Sequence, residues 1–180
     1  MHPNNRSHKT PFSPGVLAYP ARIKEEKDHS YTITYRDVPE AISGTLPDEK
    51  DQAYERAIAA LHTAVAGYVN VRNVPAAPSR PRRGEVLVPL DAVLAAKVLL
   101  VAAMELSGVT QAQLAKRMNL ARQEVARLLD GDHASKIQRM SDALAAVGVT
   151  TALTALDVPA PVDGASEAAQ AFASALQAAD

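Results

Sequence analysis

The chain has 180 residues, of which 47% are hydrophobic, with 19 Lys or Arg against 20 Asp or Glu. That length holds one or two small domains with packed cores, and near-neutrality means that any affinity for nucleic acid rests on local segregation of charge. Cysteine is absent, which excludes disulfides, thiolate metal sites and a cysteine nucleophile.

His2, His8, His29, His62 and His133 are scattered without metal-ligand spacing, so no metal or cofactor is implied. No apolar stretch of signal-peptide length opens the chain, and its longest apolar run, 93–104, is short and interrupted by Lys97. The expectation is a cytoplasmic protein.

Residues 1–15 are polar and punctuated by prolines, and are expected to be a disordered tail. Tyr19, Ala21 and Ile23 alternate in a first predicted strand, and Tyr31, Ile33 and Tyr35 alternate in a second. The charged loop 25–29 joins them as a hairpin. After the turn Asp37-Val38-Pro39, residues 41–46 are a short candidate third strand. Pro47-Asp48-Glu49 then reads as the acidic first turn of a helix. That helix carries an inward stripe of Tyr54, Ala57, Ile58, Leu61, Val65 and Tyr68 opposite Asp51, Glu55, Arg56 and His62. The order implies a small α+β domain over 16–72.

Residues 73–84, with Pro75, Pro78, Pro81, Arg80, Arg82 and Arg83, read as an extended linker. Residues 85–90 are strand-like, with Pro89 arguing for an edge position. The strand either completes the first sheet or pairs across a dimer. Asp91 is an N-cap for a helix to about residue 106 that is apolar almost all round, as expected of a helix buried on more than one side. It serves as the first helix of a second domain, 85–149, and as a candidate dimer contact.

Residues 110–131 have the pattern of a helix-turn-helix. Thr110 and Gln113 form a capping box, Leu114, Ala115 and Met118 an inward stripe, and Asn119 is suited to the left-handed conformation of a tight interhelical turn. In the next helix Val125, Leu128 and Leu129 share one face, so Gln123 and Arg127 point outward. Gln suits adenine and Arg suits guanine in the major groove, while Arg122 reaches either a base or a phosphate. Lys116, on the preceding helix, and Gln111, at that helix's start, are the predicted phosphate contacts. Across 107–140 Lys116, Arg117, Arg122, Arg127, Lys136 and Arg139 outnumber Glu124, Asp130 and Asp132, a local positive excess.

Ser135 and Gln138 read as a second capping box, opening a helix through Ile137, Met140, Leu144 and Val147 that Gly148 ends. The Ala-rich tail 150–180 lacks Lys and Arg, and aligns Ala165, Ala169, Phe172, Leu176 and Ala179 on one side of a helix from about residue 166. Docking on a partner and a frayed, nascent helix both stay open for it.

Taken in order, Tyr19-Pro20, 31–35, Asp37-Val38-Pro39, Gly44-Thr45, Ala95-Ala96-Lys97, 111–115 and 122–129 resemble the HicB antitoxins of bacterial toxin–antitoxin systems over about 18–149. The family tends to have proline where Arg36 stands, a Gly-Cys-like pair at Glu40-Ala41, and a Ser or Thr cap where Ala121 stands. The resemblance implies a partial ribonuclease-H-like ββ(β)αβ domain that binds and blocks a HicA-type mRNA-cleaving toxin. It further implies a C-terminal all-α domain that represses the shared operon by binding operator DNA as a dimer or higher oligomer.

No enzyme is expected, because two-metal nuclease chemistry needs convergent carboxylates whereas Asp28, Asp37, Glu40 and Asp48 lie in turns or at a helix start. The alternative function is a stand-alone regulator whose N-terminal domain senses a small molecule on the Tyr31, Ile33, Tyr35 face.

Overall fold

A computed structural model describes residues 17–150 and, beyond them, residue 174. The tails predicted at 1–15 and beyond 150, with the Ala-rich helix, lie outside the described residues. The elements are β1 (Ala18–Glu25), β2 (Tyr31–Tyr35), β3 (Ile42–Thr45), α1 (Ala53–Asn70), β4 (Glu85–Pro89), α2 (Ala92–Ser107), α3 (Gln111–Met118), α4 (Arg122–Leu128) and α5 (Ile137–Ala146). The fold class is α+β: a four-stranded antiparallel sheet, followed by helices.

Strand order is β3-β2-β1-β4. In the hairpin Ala21 faces Tyr35 and Ile23 faces Ile33, and on the other side of β1 Tyr19 faces Val88 and Ala21 faces Val86. Because side chains alternate along a strand, this register puts the predicted apolar residues on one face. Tyr19, Ala21, Ile33, Tyr35 and Val88 are buried there, and α1 covers them with Ala53, Ala57, Leu61, Val65 and Val69. The opposite face stays open, with Arg22, Lys24 and Thr34 exposed and Ile42 63% exposed.

The 85–90 segment thus completes the first sheet, as an edge strand in keeping with Pro89. A segment ending at residue 72 lacks this strand. The proline and arginine stretch before it is held against the β2–β3 turn. Asp37 accepts from the Ser79 N–H at 2.8 Å and from its hydroxyl, and Arg36 meets Glu85 at 3.1 Å. Arg36 therefore supplies the arginine of an ion pair across this connection.

Two local readings need correction. Residues 47–49 do not open an α-helix: Pro47–Gln52 is a 3-10 segment kinked at Glu49 (φ −110°, ψ 20°). Glu49 there reaches Arg56 at 2.8 Å rather than lining the start of α1. The Ser135–Gln138 capping box is also not formed. Lys136 is the N-cap of α5 and makes no side-chain cap; the Ser135 hydroxyl is buried without a hydrogen-bond partner, and Gln138 turns to Asp142 at 3.1 Å.

The α1 stripe is wider than predicted, taking in Ala66 and Val69, because α1 packs on α2 as well as on the sheet. One core cluster runs from Leu17 to Val147 through both halves. Within it α2 lies against α1 and α5. Its apolar surface is used inside the chain, which removes most of the predicted dimer contact and leaves Leu106 exposed at its end. No single helix among the described residues is long and apolar enough to cross a membrane.

Burial raises the pKa of Tyr19 and Tyr35 well above the free phenol's 10.0. For Tyr19 the negative charge of Asp37 adds to burial; Tyr35 also donates its hydroxyl to the Ala57 carbonyl at 2.8 Å. A folded-state pKa above the unfolded value contributes stability that is complete below the unfolded pKa and is lost above it. Alkaline titration followed by tyrosinate absorbance is expected to leave these two phenols un-ionised until the fold collapses, with their ionisation coinciding with loss of far-UV circular dichroism. Smooth ionisation of all five tyrosines in the folded chain would contradict this packing.

Candidate nucleic-acid interface

The helix pair α3–α4 is built by local chemistry. The Gln113 side chain accepts from the Thr110 N–H at 2.8 Å, and the Thr110 hydroxyl accepts from the Gln113 N–H at 3.3 Å. These two bonds satisfy donors that a helix start leaves free. Asn119 ends α3 in the left-handed conformation (φ 52°, ψ 47°), and a short turn leads into α4. Ala121 has no side-chain oxygen for a cap, and only half of a box remains there: Glu124 accepts from the Ala121 N–H at 3.1 Å.

Leu114, Ala115, Val125, Leu128 and Leu129 are buried between α3, α4 and the core. Gln123, Arg122, Arg127 and Lys116 are all exposed, as the helical period predicts. Gln111 is engaged differently: its amide donates to the Arg122 carbonyl at 3.1 Å, tying the start of α3 to the start of α4. Arg117 is spent on the C-terminal end of α5, donating to the Ala146 carbonyl at 2.9 Å. The remaining exposed cations of the pair are Lys116, Arg122 and Arg127, with Glu124 exposed beside them on α4.

The other predicted groups do not converge. Asp28 accepts from the Ser30 hydroxyl at 2.6 Å, Asp37 holds Ser79, and Glu40 accepts from the Tyr68 hydroxyl at 3.0 Å. Among the described residues no group of three or more His, Asp or Glu is placed to hold a metal ion. Tyr31, Ile33 and Tyr35 fill the core under α1 instead of lining a pocket.

Sequence reading missed what anchors α4. Lys97, which only interrupts the apolar run of α2, is 1% exposed. Its ammonium donates to the carbonyls of Asp130, just past α4, and of His133, the latter at 2.6 Å. Burial lowers its pKa, and Asp130, Asp91 and Asp132 partly offset that. The Arg72 guanidinium donates to the Leu129 carbonyl. Both cations thus sit at the C-terminal end of α4, where carbonyls lack intrahelical partners and the helix dipole is negative.

A family model described as a HicB_like antitoxin of bacterial toxin-antitoxin system matches residues 18–99, from β1 into α2. Antitoxin HicB 1 of Photorhabdus laumondii is 33% identical over 132 residues, covering 73% of this chain and 83% of that protein. Antitoxin HicB 2 of the same organism is 32% identical over 78% of this chain and 97% of its own length. Antitoxin HicB of Escherichia coli K12 is 31% identical over 73% of this chain and 94% of its own. The chain belongs to the HicB-like antitoxin family. The family match includes β4 and the first half of α2, so the unit shared with the family extends past the proline and arginine stretch.

Proposed function

We propose that this chain neutralises a HicA-type mRNA-cleaving toxin through its sheet half, and represses its own operon by binding operator DNA through α3–α4. The observation that carries the DNA reading is the left-handed turn at Asn119 between two short helices, with Gln123 and Arg127 exposed on the second. In this reading α3 and α4 are a helix-turn-helix, with α4 entering the major groove and α3 crossing the backbone, so that Lys116 meets phosphate. Gln111 acts mainly as the strut between the two helices. The toxin reading rests on family membership and on the open sheet face.

One helix-turn-helix reads only a few base pairs, so operator recognition calls for two copies about one helical turn apart. Leu106 and Ile137, exposed on the helical half, are the apolar residues left for such contacts. The protein has no catalytic role here: it acts by binding, with no cofactor. The ligand-sensing alternative loses its supporting feature with the burial of Tyr31, Ile33 and Tyr35.

The test is co-expression with the reading frame adjacent to the gene. A toxic small basic product, whose RNA cleavage this chain abolishes at equimolar ratio, is the expected result. Light scattering should give at least a dimer, free and on the upstream duplex. An adjacent product that is harmless, or equally active with and without this chain, would overturn the toxin reading.

A further inference from the structure

The end of α1 and the turn after α4 interlock across 61 residues of sequence. Asn70, the last residue of α1, accepts from the Gly131 N–H at 2.7 Å and donates to the Asp132 carboxylate at 2.8 Å. Gly131 is required there by space. A Cβ at this position would come within 2.5 Å of the Ala66 carbonyl oxygen and 2.6 Å of its Cα, both backbone atoms of the helix that covers the sheet. Arg72, two residues past α1, caps the Leu129 carbonyl, and Lys97 holds the next turn of chain from below. A helix of two turns such as α4 has few hydrogen bonds of its own, so its attitude is set by what grips its ends.

The geometry points to Asn70 as a positioning residue for α4, and to the Asn70–Gly131–Asp132 junction as a latch that fixes the attitude of α4 on the end of α1. This rests on the reading that α4 meets DNA. The side-chain hydrogen bonds of Asn70 go to Gly131 and Asp132 in the turn after α4, so its effect on DNA is exerted through the helix's orientation. A sheet half and a helical half joined by a slack linker would bind their partners independently; joined by this latch, a disturbance at the end of α1 is felt at α4.

Asn70→Asp keeps the acceptor for Gly131 but sets two carboxylates against each other. Adding Asp132→Asn restores one donor and one acceptor with their places exchanged. In the full chain, two quantities are measured: affinity for the duplex lying upstream of the chain's own reading frame, and hydrogen exchange of amides in 122–134 against those in β1 and β2. Asn70→Asp is expected to weaken the duplex on the order of tenfold and to speed exchange in 122–134 only, and the exchanged pair to recover most of both. Gly131→Ala should act in the same direction, by forcing the turn off Ala66.

A structural defect without a positioning role would raise exchange in the strands as well and would not be rescued by the exchanged pair. Wild-type affinity and wild-type exchange in Asn70→Asp, or an exchanged pair no better than the single variant, would overturn the latch. If the unaltered chain fails to bind the duplex, the DNA reading fails, while the exchange measurements still decide whether α1 holds α4.

Discussion

Arg127→Ala is expected to lower affinity for the operator duplex by about tenfold to a hundredfold, while changing affinity for a scrambled duplex far less. The range follows from the ~1–3 kcal/mol that a forked contact to a base edge contributes to discrimination. Arg127 and Gln123 are one helical turn apart on the exposed face of α4, and their loss leaves the buried Val125, Leu128 and Leu129 in place. Gln123→Ala should behave in the same way at its own base pair.

Lys116→Ala should weaken operator and scrambled duplexes alike and reduce the slope of affinity against salt, because a phosphate contact releases counterions without reading sequence. Titrations of both duplexes at two salt concentrations separate the two behaviours. Equal losses on both duplexes for Arg127→Ala would remove it as a base reader. Suppression of the toxin should survive these substitutions, since none lies on the sheet half.

Gln111→Ala divides two roles that look alike in the sequence. As a phosphate clamp, its loss would act on DNA affinity alone. Its amide donates to the Arg122 carbonyl, however, so the larger consequence expected is a loosened start of α4. The position was legible from the motif, whereas its partner was not.

What the sequence made legible was local. Alternation of Tyr19, Ala21 and Ile23 with their neighbours, and of Tyr31, Ile33 and Tyr35, placed two strands and their buried face, because a period of two needs no knowledge of distant residues. Thr110 with Gln113, Asp91 and Asn119 announced caps and a turn through bonds to their own neighbours; Asp91 accepts from the N–H groups of Val93 and Leu94 at 2.8 and 2.9 Å. Failures occurred where a distant partner outbid the local one. Glu49 turned to Arg56, and the chain ahead of α5 was drawn toward Lys97, leaving Ser135 without its cap. Nothing periodic marks Asn70, Gly131 or the carbonyls below Lys97, since their relation exists only after the two halves pack. The single Lys inside the apolar run 93–104 was the one visible trace of it.

Lys97→Ala is expected to be the most destabilising single substitution in the helical half. The side chain is buried, and its ammonium serves the carbonyls of Asp130 and His133, so truncation leaves a cavity and takes the donor from both carbonyls. Truncating a large buried side chain and losing its charge-assisted hydrogen bonds to two carbonyls together cost about 2–5 kcal/mol. For a domain of this size that lowers Tm by on the order of 10 °C.

Lys97→Met separates the contributions. It refills most of the volume without supplying a donor, so it should recover the cavity part and remain destabilised by roughly 1–3 kcal/mol for the unpaired carbonyls. The opposite outcome has a physical basis too, because removing an ammonium from a site where burial already depresses its pKa also removes a desolvation cost. Denaturant melts of the wild type and both variants decide between them. If Lys97→Met equals or exceeds the wild type in stability, the ammonium does not hold the end of α4, and the anchoring of that helix falls to Arg72 and Asn70 alone.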